Sequence, residues 1–298
     1  MEPNKPVLDR QKLIDSFNQA AGTYEAAASL QKYVGEQLLE RLEMIKLAPA
    51  AILDLGSGPG QFARALAKKY TAAKIVQLDI AEKMLRLSRR QASRFFSRQQ
   101  YICADADTLP LATNSIDLVF SNLMLQWSQD PDALLNDLTR IIRPDGLFVF
   151  SSLGPDTLRE LRESWAAVDE PIHVNTFIDM HDLGDALVRA GFSDPVMEVE
   201  VVTLSYSSLD NLLNDLKGLG AHNVNSNRRR SLTGKNRYRA MHAEYEKKRQ
   251  ADRLPATYEV IYGHAWRPTG IDRMKRTEDG EFKISLEQLR RTIKQSGN

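Results

Sequence analysis

The chain is short of several things at once. It holds one cysteine, Cys103, in 298 residues, which excludes an internal disulfide and a thiolate-rich metal site; no metal is expected. It has no excess charge of either sign. Its 40 Lys and Arg against 39 Asp and Glu leave a formal net charge of +1, too little for a protein built around bulk nucleic-acid binding. No apolar run reaches the roughly 20 residues of a membrane span. The first residues, among them Glu2, Asn4 and Lys5, contain no apolar stretch of the signal-peptide kind. The expectation is a cytoplasmic enzyme with neither a membrane nor nucleic acid among its partners. What is present is ordinary for a globular protein, 42% hydrophobic and 27% charged residues, with length enough for one large α/β domain. Cys103, inside Tyr101-Ile102-Cys103-Ala104, reads as a small core residue rather than a nucleophile.

Periodicity divides the chain. Residues 9–46 read as helix, with Leu13, Phe17, Leu30, Val34, Leu38, Leu42 and Ile45 at helical spacing and a break at Gly22-Thr23. From residue 51 short apolar runs take over, at 51–55, 74–78, 100–104, 116–121 and 147–152, separated by helical patterns at 61–69, 82–94 and 132–142. Strands alternating with helices mean βαβ units, and hence a doubly wound parallel sheet with right-handed crossovers. Beyond 152 the pattern predicts helices at 155–168 and 180–190, and strands at 197–206 and 256–266 rich in Val, Ile, Thr and Tyr. Four regions follow: a helical segment over the active site (1–47), a core (48–206 with 255–267), a basic helical insertion (207–254) and a polar tail (268–298).

The densest signal is Asp54-Leu55-Gly56-Ser57-Gly58-Pro59-Gly60. Glycines at alternate positions let the backbone turn sharply from strand to helix and approach a ligand without a Cβ in the way, and the next helix opens with free N–H groups. Gly58, Gly60 and Ala63 also satisfy the relaxed dinucleotide pattern G-x-G-x-x-A. That pattern starts directly after its strand, where Asp54 and Gly56 stand here. Asp79 ends the second strand and is placed to accept both hydroxyls of a ribose. Asp105 and Ala106, after the third strand, suit an adenine, the carboxylate accepting from the exocyclic amine and the Ala106 N–H donating to the ring.

With these in place the resemblance is specific. The glycine loop, the acid of the second strand, Ala-Asp-Ala-Asp-x-Leu-Pro-Leu (104–111), Asp117-Leu118-Val119 and Arg143-Pro144-Asp145-Gly146 resemble the class I S-adenosylmethionine-dependent methyltransferases over about residues 48–152. Further blocks resemble the malonyl-acyl-carrier-protein O-methyltransferases of biotin synthesis. They are Thr23–Gln31, Ser121–Trp127, Leu153–Leu158, Met180–Gly184, Gly218–Asn223, Leu232–Lys235 and Leu254–Glu259. A mitochondrial complex I assembly factor of the same fold, associated with arginine hydroxylation, shares the blocks around Gly154 and Pro255. Gln126 before Trp127 and the Ala221-His222-Asn223 block favour the biotin enzyme. Ser57 and Pro59 depart from the Cys and Thr of many relatives.

The resemblance implies a Rossmann-like fold: a seven-stranded, mostly parallel sheet with helices on both faces and a helical insertion between the last two strands. It implies S-adenosyl-L-methionine as cofactor, and as substrate the malonyl thioester of acyl carrier protein or of coenzyme A. Gln31, Asp54, Gly56, Ser57, Gly58, Gly60, Asp79, Ile80, Met84, Asp105, Ala106, Asn122 and Leu123 form the expected cofactor set. Tyr24, Gln126, Trp127 and His222 form the expected substrate and catalytic set; Tyr24 and Gln31 share one face if their helix is continuous. Arg228, Arg229, Arg230, Lys235 and Arg237 form a basic dock for an acidic carrier protein. Two other readings compete: a nucleic-acid methyltransferase, for which the basic patch from Arg228 to Arg239 offers only Tyr238 as a stacking aromatic, and a cofactor-binding assembly factor without methyl transfer. An NAD-dependent oxidoreductase stands last, because no acid/base constellation accompanies the glycine pattern.

Overall fold

The computed structural model describes residues 8–92, 98–170, 173–221, 223–224 and 234–269. The first helical region is three pieces: α1 (Arg10–Ala20), the single turn α2 (Tyr24–Ala27) and α3 (Ser29–Glu43). Asp9 caps α1 by accepting from the Lys12 N–H. The expected break near Gly22 is present, and a second occurs at Ala28, whose φ of −83° and ψ of 34° leave the helical region. Tyr24 and Gln31 are therefore not on one continuous helix.

The alternating core follows as β1 (Ala51–Leu55), α4 (Gln61–Lys69), β2 (Lys74–Asp79), α5 (Glu82–Gln91), β3 (Gln99–Cys103), β4 (Ile116–Ser121), a 3-10 turn (Leu125–Trp127), α6 (Pro131–Ile141), β5 (Ile142–Leu153), α7 (Arg159–Ala166), α8 (Met180–Arg189) and β6 (Ser193–Tyr206). Then come α9 (Leu209–Gly218), α10 (Lys235–Glu246) and β7 (Leu254–Trp266). Seven strands form one sheet in the order β3-β2-β1-β4-β5-β7-β6. β7 runs antiparallel to both its neighbours and the other observed pairings are parallel. The expected fold class is borne out, with α9 and α10 inserted between β6 and β7.

Why the strands read as unbroken apolar runs is visible in their two faces. Ile52, Ile75, Leu118, Phe120, Leu147 and Val149 pack under Leu30, Val34, Leu38 and Leu42 of α3 and Phe62, Ala63 and Leu66 of α4. Their neighbours Leu53, Val76, Val119, Phe148 and Phe150 pack on the other face against Leu134, Leu135 and Leu138 of α6 and Leu183 and Leu187 of α8. A strand covered by helices on both sides has no polar face to alternate with. At the sheet's edge this cover fails. Cys103 lies exposed at the end of β3, correcting the expectation of a core thiol: its run is apolar but belongs to an edge strand with one neighbour.

Order 2-1-4 at the centre puts a reversal of winding beside β1. The carboxyl ends of β1, β2 and β4 meet there, and a crevice opens where sheets of this kind bind ligands.

Candidate functional site

The crevice floor is the turn after β1. Gly56, Gly58 and Gly60 have φ of 74°, 51° and 77°, a region costly for any residue with a Cβ. The N–H groups of Gly56 and Ser57 both donate to the Leu78 carbonyl, at 2.8 and 3.1 Å, which pins the turn to the end of β2. A Cβ on Gly60 would stand 1.9 Å from Ser88 Oγ and 2.7 Å from Gln77 Oε1. Those two atoms are themselves bonded at 2.6 Å, and both residues are fully buried. A Cβ on Gly58 would meet nothing nearer than the Tyr24 ring, at 4.0 Å. Gly60 is thus a packing requirement, whereas Gly58 leaves room above the backbone.

Asp79 joins the turn to the next wall. Its Oδ2 accepts from the Gly58 N–H and its Oδ1 from the Ala81 N–H, each at 2.8 Å. Withdrawal from water raises its carboxyl pKa against the lowering by those N–H groups. Asp54, 2% exposed, has its pKa raised to about 7, first by burial and then by the charge of Asp79. Its Oδ2 has no partner among the described residues. Two carboxyls raised by burial beside an open cleft suit a ligand that brings positive charge. The same surroundings push the Tyr24 hydroxyl far up.

One cavity joins most of the residues expected from sequence. Gly56, Gly58, Asp79, Ile80 and Met84 line one side, with Asp105 and Ala106 beyond them. Tyr24, Gln31, Asn122, Leu123, Gln126 and Trp127 line the same cavity, with the Tyr24 ring next to Gly58. Asp54, Ser57 and Gly60 are not on the wall; they build the turn behind it. Tyr24 and Gln31 reach the same cavity from two separate helices. Asn122 donates through Nδ2 to the Gln31 carbonyl at 2.9 Å and accepts from Ser151 Oγ at 2.7 Å, so it ties α3, β4 and β5 together at the rim. Leu123 holds a φ of 50°, kept there by its N–H, which donates to Ser151 Oγ at 2.9 Å; a branched residue in this region marks a locally over-determined backbone. Gln126 donates to the Leu123 carbonyl at 2.8 Å. The side-chain oxygens of Gln31 and Gln126 are both buried without a partner among the described residues. Buried acceptors left open on a cavity wall call for donors from a ligand or water.

Trp127 presents its ring edge-on to Phe17 of α1, with centroids 5.3 Å apart and planes 88° apart. Its carbonyl accepts from Arg10 Nη1 at 2.8 Å. Arg10 also pairs with Asp105 and, at 2.6 Å, with Asp107. Arg10 is a wall residue that sequence reasoning missed, since nothing marks an arginine in an amphipathic helix as facing a cavity. Thr157, Leu158, His173, Asn175 and Tyr258 were missed as well; they close the β5 and β7 side. Thr157, Leu158 and Tyr258 fall in the blocks Leu153–Leu158 and Leu254–Glu259 that carried the resemblance, but nothing in them marked a cavity wall; His173 and Asn175 fall between predicted elements. His222, Arg228, Arg229 and Arg230 lie outside the described residues, although Ala221 and Asn223 line the cavity. Lys235 and Arg237 are exposed in the first turn of α10, away from the cavity. Cations there oppose the helix dipole, and neither has an ion-pair partner among the described residues.

The cleft can hold a nucleoside on its glycine and aspartate side and an acyl group on its apolar side. Residues 53–150 match a family model described as a methyltransferase domain. A malonyl-[acyl-carrier protein] O-methyltransferase of Laribacter hongkongensis is 48% identical over 285 residues, covering 93% of this chain and 96% of that protein. One of Gallionella capsiferriformans is 49% identical, covering 89% and 93%. Among solved structures, the YcgJ protein of Bacillus subtilis superimposes with a TM-score of 0.57 at 13% identity, over 79% of this chain and 99% of its own. A Haemonchus contortus phosphoethanolamine N-methyltransferase 2 in complex with S-adenosyl-L-methionine gives 0.53 at 18% identity, over 85% and 57%. Those two likenesses concern the fold.

Proposed function

The chain belongs to the malonyl-[acyl-carrier protein] O-methyltransferase family, and from that membership we propose that it esterifies the free carboxylate of a malonyl thioester in biotin synthesis. The observation that supports this most is the reach of the likeness. The match to the Laribacter protein spans 93% of the chain, well past the 53–150 segment common to methyltransferase domains, and so takes in both sides of the cleft.

The residues present fit S-adenosyl-L-methionine. Gly58 leaves backbone open to a ligand, Asp79 and Asp105 offer carboxylates at the ends of β2 and β3, and the buried Gln31 Oε1 lacks a donor. Asp79 would hold the ribose, Asp105 and Ala106 the adenine between Ile80 and Met84, and Gln31 with the glycine turn the amino-acid end. When bound, the cofactor supplies an electrophilic methyl group on a cationic sulfur. The protein's part is placement. A carboxyl group with an ordinary pKa near 4 is already ionised at neutral pH, so no strong base is required. Leu30, Leu153, Leu158 and Leu161 on the wall would exclude water from the nucleophile, and Trp127 and Phe17 add to that apolar lining. Positioning of this kind supplies roughly 7–11 kcal/mol in favourable cases.

The reading extends to the regions of the chain. We assign residues 1–47 as a cover over the core of 48–206 and 255–267, and 207–254 as the carrier-protein dock; the tail assigned to 268–298 lies outside the described residues from 270 on, as do 1–7, 222 and 225–233. A chain with one cysteine suits a reducing cytoplasm. Docking rests on Lys235 and Arg237, with Arg228–Arg230 beside them in sequence, as cations facing an acidic carrier. The double variant Lys235→Glu, Arg237→Glu is expected to raise KM for malonyl-carrier protein about tenfold. It should leave KM for malonyl-coenzyme A within twofold, and equal rises on both would remove the dock.

The deciding experiment for the function is transfer of radiolabelled methyl to malonyl-, acetyl- and succinyl-carrier protein side by side. Label is expected on the malonyl thioester alone. Label on none, with S-adenosylhomocysteine still bound, would transfer the chain to the assembly-factor reading.

A further inference from the structure

A histidine on the cleft wall is paired with a carboxylate behind it. His173 stands in the connection between α7 and α8, and its Nε2 lies 2.7 Å from Asp169 Oδ1. The ring lies flat on Trp165, centroids 3.7 Å apart and planes 8° from parallel. The two side chains are only 15% and 9% exposed. His173 lines the same cavity as Gly58 and Asp79, and Asn175 lines it two residues on. The Asn175 side-chain oxygen is buried with no partner among the described residues, a second polar atom on this wall that waits for a ligand or water.

A carboxylate entering an apolar cavity loses its water and must be given charge-assisted hydrogen bonds in return. Arg10 is engaged by Asp105 and Asp107, at the end assigned to the adenine. His173 stacks instead on Trp165, which packs with Leu158 and Leu161, and it is fixed in plane by that ring and in rotation by Asp169. We propose that His173 receives the carboxylate of the malonyl unit, donating from Nδ1 to the oxygen that does not attack while Nε2 stays bonded to Asp169. Donation from both nitrogens requires the doubly protonated ring, whose charge Asp169 balances. The carboxylate is the nucleophile and has no proton to lose, so His173 neither takes nor gives one during methyl transfer. Its contribution is to orient the attacking oxygen and to distinguish malonyl from an acyl group without a carboxylate. This assignment rests on the methyltransferase reading.

The test uses the full chain with His173→Ala, His173→Gln and Asp169→Asn. Steady-state kinetics with malonyl thioester are measured beside calorimetry with S-adenosylhomocysteine. His173→Ala is expected to raise KM for the malonyl substrate about 10- to 100-fold, the range for a lost hydrogen bond to a charged group, with a smaller change in kcat. Affinity for S-adenosylhomocysteine stays within twofold. His173→Gln, which keeps an N–H at similar reach, recovers part of the loss, and Asp169→Asn shows a smaller rise in KM. An unchanged KM in His173→Ala overturns the assignment. So does a loss of S-adenosylhomocysteine binding that tracks KM in all three variants, which would mean a structural role. A wild-type chain that labels no malonyl thioester removes the functional reading itself, and this assignment with it.

Discussion

The two walls of the cleft are built on opposite plans. The wall proposed for the cofactor comes from consecutive strand ends: Gly56 and Gly58 follow β1, Asp79 ends β2, and Asp105 follows β3, all within about fifty residues. Its geometry is backbone geometry, held by N–H groups on the Leu78 carbonyl and on Asp79. The wall proposed for the substrate is gathered from Trp127, Leu158, His173 and Tyr258, far apart in sequence, and it meets the cofactor wall where side chains bond across elements, such as Asn122 to the Gln31 carbonyl and to Ser151. A common cofactor can be served by one compact turn. A particular acyl group needs a surface assembled from several connections, and loops on a rigid sheet provide it.

If that contrast is right, the cofactor wall should fail through the backbone. Gly60→Ala is expected to have the largest effect. It forces a Cβ into the left-handed region and into Ser88 and Gln77, at about 2–5 kcal/mol in total, read as a lower urea midpoint with cofactor binding lost. Gly58→Ala carries the conformational penalty alone, about 1–2 kcal/mol, because its Cβ direction is open. Its stability should fall less than its affinity for S-adenosylhomocysteine. Equal destabilisation by both substitutions would break the distinction between packing and ligand space. Next in size, Asp79→Ala should weaken S-adenosylhomocysteine about 10- to 100-fold in calorimetry by removing a charged acceptor. Undiminished binding would show that the ribose is held elsewhere.

The same contrast explains what could be read from the amino-acid order. β1, β2, β4 and β5 and their helices stood out because burial on both faces leaves runs that are mostly apolar, as at Leu147–Phe150. The glycine turn stood out because positive φ at three alternate positions leaves few residue choices. Cys103 misled because an apolar run does not reveal whether its strand has one neighbour or two. Arg10 and His173 carried no signal, since their role depends on contacts such as Arg10 to Asp105, 95 residues apart. Local pattern reports local geometry, and the substrate wall has little of it.

Electrostatics sharpen the comparison further. Asp54 carries a pKa of about 7 because burial, and then Asp79, disfavours its charge. Its folded value lies above the ordinary carboxyl value, so the ligand-free fold binds the proton more tightly than the unfolded chain does. Stability from this group is complete below about pH 4 and is lost as pH rises to about 7. A cationic ligand reverses the preference. Affinity for S-adenosyl-L-methionine should rise with pH up to about 7, by as much as about tenfold per unit where binding must expel the proton. Asp54→Asn should flatten both dependences, measured by thermal melts without ligand and by calorimetry with it. A wild-type affinity that is level between pH 6 and 8 would mean that Asp54 is not coupled to the ligand's charge.

The smallest effect belongs to the residue that links the two walls. Arg10 spans from α1 to Asp105, Asp107 and the Trp127 carbonyl, but it is partly open to solvent, and pairs of that kind contribute little each. The cover has other anchors as well: Ser16 Oγ donates to the Gly220 carbonyl at 2.9 Å, and Asn18 accepts from the Lys83 N–H at 2.9 Å. Arg10→Ala should therefore leave the fold intact and raise KM for cofactor and malonyl substrate together, each by only about two- to fivefold, the scale of a contribution below about 1 kcal/mol. A rise confined to the cofactor would assign Arg10 to the adenine side alone. A rise in both is the behaviour of a strap that closes one cleft over two ligands.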